Sequence, residues 1–173
     1  LTRTGRPLTL MTTRSNMIQA IFIAAEPKAN QQAVNEMDVI AHKGIIGDRN
    51  FDQHHWHGQN ITLIESENID NFNRHHQQNI SLQDTRRNLI TKGVRLNQLI
   101  GKEFHIGQAK LIGTELCEPC HSLSQTLTTG HVSQQQVLDA FTGKAGIRAT
   151  ILTSGSITVD TVSYTHLRAH ETR

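Results

Sequence analysis

The chain has 173 residues, of which 18 % are charged and 4 % aromatic, and its formal net charge is +2. This length suits one domain with an apolar core, and the composition is that of an ordinary globular protein. No apolar run approaches roughly 18 residues, so we expect no membrane-spanning helix and no membrane partner. Two cysteines and no recognisable secretory signal predict a reducing, cytoplasmic setting.

The basic charge is concentrated at the two ends of the chain. Residues 1–16 contain three arginines and no acid, and residues 164–173 contain two arginines against Glu171. The body between them has 12 basic and 14 acidic residues, a balance of −2 that predicts no nucleic-acid partner. We therefore expect an N-terminal extension over residues 1–16, one domain over 17–163 and a non-native-looking tail over 164–173.

The apolar patterns predict many short strands and few helices. Strands are expected over residues 18–24, 34–41, 60–64, 102–106, 109–116, 148–152 and 157–162. The turn at Gly107 predicts a hairpin between 102–106 and 109–116, and a second hairpin is expected around Gly155.

Two segments carry helical signals. Residues 65–78 place Ile69 and Phe72 on one face, and the capping-box sequence at Ser133 opens a second helix that ends before Gly143. Short strands at this spacing favour a mainly β, barrel-like or sandwich fold over a doubly wound sheet.

The stretch Cys117-Glu118-Pro119-Cys120-His121 contains both cysteines of the chain. A thiolate is a soft metal ligand and a strong nucleophile, and two thiols at this spacing could share a metal, form a redox pair or attach a haem. A structural zinc site would need a fourth ligand, and haem attachment would need export. The remaining alternative is a pair of buried cysteines acting as small hydrophobic residues.

Three further groups of polar residues could contribute to a site. Asp52-Gln53-His54-His55-Trp56-His57 could bind a metal through imidazole, but its spacing favours a polar surface loop that could line a cleft. Arg86, Arg87 and Asn88 form an arginine pair with an amide neighbour, which suits bidentate binding of phosphate or a solvated charge cluster. Asp48 and Arg49 follow a glycine-marked turn that lacks the ending of a phosphate-binding loop.

Taken together and in this order, these segments resemble the MOSC domain family, which was named for the C-terminal domain of molybdenum-cofactor sulfurases. The resemblance extends over roughly residues 17–162. The stretches that carry it are Gly47-Asp48-Arg49, Asn60 to Glu65, Arg86 to Gly93, Leu96 to Gly101, Gly113 to Cys120 and Gly146 to Ala149.

The resemblance implies a barrel-like β fold with a few short helices around a cleft that binds the molybdenum cofactor, a phosphorylated molybdopterin. The essential cysteine of the family falls on Cys120, which would ligate molybdenum or carry a persulfide, with Cys117 as a second thiol or a bystander. The implied cofactor-binding residues are Arg86, Arg87, Asn88, Arg148, Asp48 and Arg49.

Two function classes follow, with a cofactor-free interaction module as a third alternative. The first is a molybdenum-dependent oxidoreductase that reduces N-hydroxylated or other N-oxygenated small molecules with electrons from a redox partner. The second is a sulfur carrier or cofactor-delivery domain that needs an external sulfur-donor protein. Family relatives with an attached desulfurase domain use pyridoxal phosphate, but this chain shows no lysine context for it, so we do not expect that cofactor to bind.

Overall fold

The structure is a computed structural model that describes residues 16–53 and 60–160 of the chain. Within these residues the chain forms ten strands and three α-helices, which confirms the predicted mainly β fold class. The strands are β1 (Met17–Ile23), β2 (Gln32–Val34), β3 (Glu36–Ile40), β4 (Gly44–Ile45), β5 (Ile61–Glu65), β6 (Leu89–Lys92), β7 (Glu103–Ile106), β8 (Ala109–Leu116), β9 (Ile147–Ile151) and β10 (Gly155–Thr158). The helices are α1 (Ser66–His76), α2 (His121–Leu127) and α3 (Gln134–Phe141).

The strands form two sheets. The larger sheet has seven strands in the order β2-β1-β6-β5-β9-β8-β7 and curls into a half-barrel, and the smaller sheet has the order β10-β3-β4. Neighbouring strands are antiparallel except for the parallel pair β5–β6. No helix of the described residues is long and apolar enough to cross a bilayer.

The two hairpin predictions have different outcomes. The hairpin of β7 and β8 is confirmed, with Ile106 opposite Ala109 on either side of the turn. The hairpin expected around Gly155 is wrong, because β9 pairs with β5 and β8 in the large sheet while β10 pairs with β3 in the small one. The interior of β9 is buried on both faces, so its backbone is satisfied by two neighbours in the large sheet.

Other predicted boundaries also change. The strand expected over residues 34–41 is divided between β2 and β3 at Asn35, whose carbonyl accepts a hydrogen bond from the backbone N–H of Val159 at 2.9 Å. Strand β6 and helix α2 were not predicted. Both predicted helices are present, and the capping box of α3 forms as expected between Ser133 and Gln136.

The core consists of two apolar clusters on opposite faces of the large sheet. Neighbouring residues of one strand belong to different clusters: Leu63 and Leu89 contribute to the larger cluster, and Ile64 and Ile90 to the smaller one. This follows from the twofold alternation of side chains along β5 and β6. The smaller cluster lies beneath the helices and includes Cys117, so the cysteine turn begins at the edge of this helical layer.

Candidate functional site

The two cysteines lie on one turn between β8 and α2 but have different surroundings. The backbone N–H of Cys117 donates to the carbonyl of Gly146 at 2.8 Å, which extends the β8–β9 pairing by one residue into the turn. Cys117 is 2 % exposed, whereas Cys120 is exposed and is the N-cap of α2. The Sγ atom of Cys120 accepts a hydrogen bond from the backbone N–H of Leu123 at 3.4 Å. The turn therefore presents one thiol to solvent and buries the other.

Gly146 allows β9 to begin close to β5. Its φ of +93° lies in the region that favours glycine, and a Cβ atom there would overlap the carbonyl oxygen of Leu63. A residue with a side chain would push β9 away from β5, and the turn that starts at Cys117 would move with it. The position of both thiols thus depends on the glycine that directly precedes β9.

The buried thiol lies next to two guanidinium groups. Burial raises the pKa of the Cys117 thiol, and the charges of Arg87 and Arg148 act in the opposite direction without overcoming it. The side chain of Arg148 also hydrogen-bonds the thiol. Cys117 is therefore a protonated thiol near neutral pH, and it lies close to Arg87 and Arg148.

Arg148 is oriented by a bulge in β8. The pairing of β8 with β9 shifts register between Gly113 and Glu115, and the Thr114 hydroxyl in the bulge donates to the carbonyl of Arg148 at 3.0 Å. The shift places Glu115 opposite Arg148, where the two side chains form an ion pair with a 2.9 Å contact. Arg148 therefore contacts Glu115 on one side and Cys117 on the other.

Arg86 and Arg87 lie in the short segment directly before β6. Arg87 Nε donates to the carbonyl of Ala145 at 2.9 Å, next to Gly146 at the start of β9. Arg86 turns the other way and donates to the carbonyls of Ala29 and Pro27 at 3.0 and 3.1 Å. Arg86 therefore fixes the loop after β1 through two of its five N–H groups.

Arg49 lies within electrostatic reach of Arg86 and Arg87. Burial lowers the pKa of the Arg49 guanidinium, Asp48 opposes this shift, and the charges of Arg86 and Arg87 add to it. The ion pair between Arg49 and Asp48 has a 3.5 Å contact, and the same Arg49 nitrogen has no hydrogen-bond acceptor within the described part of the chain. The three guanidinium groups form a positively charged cluster that an anion would stabilise.

Asp48 and Asn88 support this cluster from beneath. Asp48 is 5 % exposed and accepts a hydrogen bond from the backbone N–H of Ala24 at 3.1 Å. Asn88 is 1 % exposed, donates to the carbonyl of Phe22 and to Asp48 at 3.1 and 3.5 Å, and accepts from the backbone N–H of Thr62 at 3.1 Å. Their side chains thus connect β1, β5 and β6, and direct contact with a cofactor stays a prediction for both.

His121 lies beside the exposed thiol and contacts the start of α3. Its Nδ1 atom is 2.8 Å from Nε2 of Gln134, and the same nitrogen of Gln134 is 2.9 Å from the hydroxyl of Ser124. Sequence reasoning missed Gln134 as a neighbour of the site. The capping box predicted where α3 begins, but nothing in the sequence indicated that the first residue of α3 would contact α2.

A polar cleft of about 420 Å³ opens beside Arg86. It is lined by Asn30, Gln31, Gln83, Asp84, Arg86 and Thr126. Gln31 is 8 % exposed, and neither polar atom of its side chain has a hydrogen-bond partner among the residues that the structure describes. No sequence pattern indicated this cleft, because its residues come from three separate segments.

The metal-binding alternatives raised by the sequence have two different outcomes. In residues 16–53 and 60–160, no group of three or more His, Cys, Asp or Glu side chains is placed to hold a metal ion. The histidines of the predicted 52–57 loop, His54, His55 and His57, lie outside the described residues. A metal at the cysteine turn would therefore have Cys120 as its exposed soft ligand from this part of the chain.

Fold and site together define a small β-rich domain in which one turn carries an exposed thiol and a buried thiol close to Arg87 and Arg148. A model of the MOSC domain matches residues 50–163. The chain therefore belongs to the MOSC domain family, as its resemblance to that family indicated, and this family is associated with the molybdenum cofactor. A comparison with curated proteins finds no match.

Solved structures with the same fold support this assignment. The YuaD protein from Bacillus subtilis is similar with a TM-score of 0.73 and 14 % identity, over 86 % of this chain and 94 % of that chain. YiiM from Geobacillus stearothermophilus is similar with a TM-score of 0.63 and 17 % identity, over 87 % and 75 % of the two chains. YiiM from Escherichia coli is similar with a TM-score of 0.60 and 16 % identity, over 89 % of this chain and 70 % of that chain. At these identities the likeness establishes the fold.

Proposed function

We propose that this protein binds the molybdenum cofactor through Cys120 and reduces N-hydroxylated or other N-oxygenated small molecules. The observation that carries the proposal is a turn that exposes the free Cys120 thiol and holds its second thiol, Cys117, close to Arg87 and Arg148. A soft thiolate is the ligand type that binds a soft metal centre, and guanidinium groups are the side chains that bind phosphate in a bidentate manner.

The donor set fits a phosphorylated dithiolene cofactor. Cys120 would ligate the metal, since its sulfur is exposed and held at the start of α2 by the N–H of Leu123. Arg87 and Arg148 would hold the phosphate. Arg49 would add a further positive charge, and its nitrogen that has no hydrogen-bond acceptor in the described residues would gain one. Arg86 would contribute charge while bracing the loop after β1.

The cofactor, when bound, would supply two-electron redox chemistry, and the protein would supply binding and orientation. Asp48 and Asn88 would keep the loops that carry the arginines in place, because their side chains join three strands beneath the cluster. Cys117 would remain a protonated neighbour, since burial raises its pKa. The substrate would be a small molecule, and the electrons would come from a redox partner outside this chain.

A sulfur carrier is the second candidate function. In this alternative Cys120 accepts a persulfide from an external sulfur-donor protein, and its exposure at the N-cap of α2 favours such access. The same arginines would then bind a cofactor for delivery to a molybdoenzyme. Pyridoxal phosphate would belong to the donor protein.

Metal and sulfur analysis of the purified full chain distinguishes these functions. The protein should be produced in a host that makes the molybdenum cofactor, together with Cys120→Ser, Arg87→Ala and the control Ser122→Ala on the exposed face of α2. We expect molybdenum close to one per chain in the native protein and the control, a loss in Cys120→Ser and a partial loss in Arg87→Ala. A sulfane sulfur on Cys120 without molybdenum would favour the carrier, and the absence of both would indicate an interaction module.

A further inference from the structure

A chain of three hydrogen bonds connects α2 and α3 beside Cys120. The hydroxyl of Ser124 donates to the backbone carbonyl of His121 at 2.8 Å. Nε2 of Gln134 donates to the Ser124 hydroxyl oxygen at 2.9 Å and lies 2.8 Å from Nδ1 of His121. Ser124 is fully buried, whereas the His121 side chain is exposed, so the chain runs from the helical layer to the surface.

These contacts determine the tautomer of the neutral His121 imidazole. A serine hydroxyl has one hydrogen, and that of Ser124 is used by the carbonyl of His121, so Ser124 can only accept from Gln134. The atom of Gln134 that faces both groups is therefore its NH₂, whose second hydrogen points to Nδ1 of His121. Nδ1 must then be the acceptor, and the ring hydrogen is on Nε2.

We propose that His121 presents this Nε2–H as a hydrogen-bond donor to the oxygen of the N–O group of a substrate bound at Cys120, and that Gln134 fixes the tautomer that makes this possible. His121 follows Cys120 directly, with Cα atoms roughly 3.8 Å apart, so that Cys120 is the N-cap and His121 the first residue of α2. The inference rests on the proposed function and names a residue that binds substrate there. Gln134 is a positioning residue that acts through His121.

The tautomer can be tested without cofactor or activity. Long-range ¹⁵N–¹H NMR of the full chain, at about pH 8.5 where an ordinary imidazole is neutral, should show protonated Nε2 and unprotonated Nδ1 for His121. Gln134→Glu replaces the donor with an acceptor and should move the ring hydrogen to Nδ1. The matched control Gln125→Glu, on the exposed face of α2, should leave the tautomer unchanged. A native His121 protonated at Nδ1 would overturn the inference.

The substrate contact can be tested in the molybdenum-loaded protein. His121→Asn keeps an acceptor where Nδ1 lies and so preserves the contact with Gln134, but it removes the Nε2–H donor. We expect kcat/KM for an N-hydroxylated substrate to fall about tenfold or more in His121→Asn and in Gln134→Glu, with unchanged thermal stability. Gln125→Glu should retain the native rate.

The outcomes separate this inference from the proposed function. Full activity in His121→Asn, together with loss of activity in Cys120→Ser, would overturn the role of His121 and leave Cys120 as the metal ligand. Full activity and full metal content in Cys120→Ser would overturn the proposed function, and the role of His121 would fall with it. An equal loss of kcat/KM in His121→Asn, Gln134→Glu and the control Gln125→Glu would indicate a general charge or folding effect. That result would also overturn the inference.

Discussion

The site contains two regions with opposite properties, which we call the buried frame and the exposed end. The buried frame consists of Asp48, Asn88 and Cys117, each at most 5 % exposed, and every one of them contacts other parts of the fold. The exposed end consists of Cys120 and His121, whose side chains reach solvent from the first turn of α2. Stability should therefore depend on the frame, and chemistry on the exposed end.

Cys120→Ser, at the exposed end, should show the largest difference between its effect on activity and its effect on stability. Activity should fall more than about a thousandfold, because the serine hydroxyl is a poor soft-metal ligand and a poor sulfur acceptor. The free energy of unfolding should change by less than about 0.5 kcal/mol, since the side chain is exposed and similar in size. Steady-state kinetics and denaturant unfolding of the same preparation measure both quantities. A stable variant with native activity would place the reactive group elsewhere.

Asn88→Ala, in the buried frame, should instead lower the stability of the fold. The change removes one amide that bridges Phe22, Asp48 and Thr62, so the carbonyl of Phe22 and the backbone N–H of Thr62 lose this partner, and Asp48 keeps only its other contacts. We expect a loss of about 3 kcal/mol in the free energy of unfolding, measured by urea denaturation. The exposed Asn79→Ala is the matched control and should lie within about 0.5 kcal/mol of the native protein. Equal stability of the two variants would contradict the role assigned to the frame.

The contrast between these regions explains what could be predicted from the sequence. Two local signals were confirmed, since the alternation around Gly107 predicted the β7–β8 hairpin and Ser133 with Gln136 predicted the start of α3. The hairpin signal at Gly155 failed because β10 pairs with β3 rather than with β9. Strand β6 was missed because its parallel partner β5 is far away in the chain and no turn connects them. Helix α2 was missed because its seven residues are too few for a clear helical period.

The site itself was predicted as a set of residue types rather than as an arrangement. The sequence identified thiols and arginines, but the contact of Arg148 with the buried Cys117 depends on the register shift in β8. The inward orientation of Asn88 depends on hydrogen bonds to segments on either side in the sheet. Such long-range pairings are set by tertiary structure, which no local pattern encodes.

A smaller effect is expected for Cys117→Ala. Near pH 7 it should cost about 1 to 2 kcal/mol, because it removes a buried side chain and a hydrogen-bond partner of Arg148. The raised pKa of Cys117 stabilises the folded state below the unfolded thiol pKa of about 8.5, and this contribution is lost as the pH rises through the folded value. The stability difference between native and variant proteins should therefore narrow above about pH 9. Urea denaturation near pH 7 and above about pH 9 measures this stability difference. A stability difference that widens with rising pH would contradict the burial of the Cys117 thiol.

The smallest expected effect is a gain in stability from Gln31→Met at the polar cleft. Gln31 is 8 % exposed, slightly more than the frame residues, and unlike Asn88 its amide has no hydrogen-bond partner among the described residues. Methionine is similar in shape and has no amide to desolvate, so we expect the free energy of unfolding to rise by about 1 kcal/mol. The neighbouring exposed Gln32→Met is the control and should have little effect. A loss of stability in Gln31→Met alone would mean that the native amide is hydrogen-bonded in solution, and burial of this residue would then stabilise the fold as the frame does.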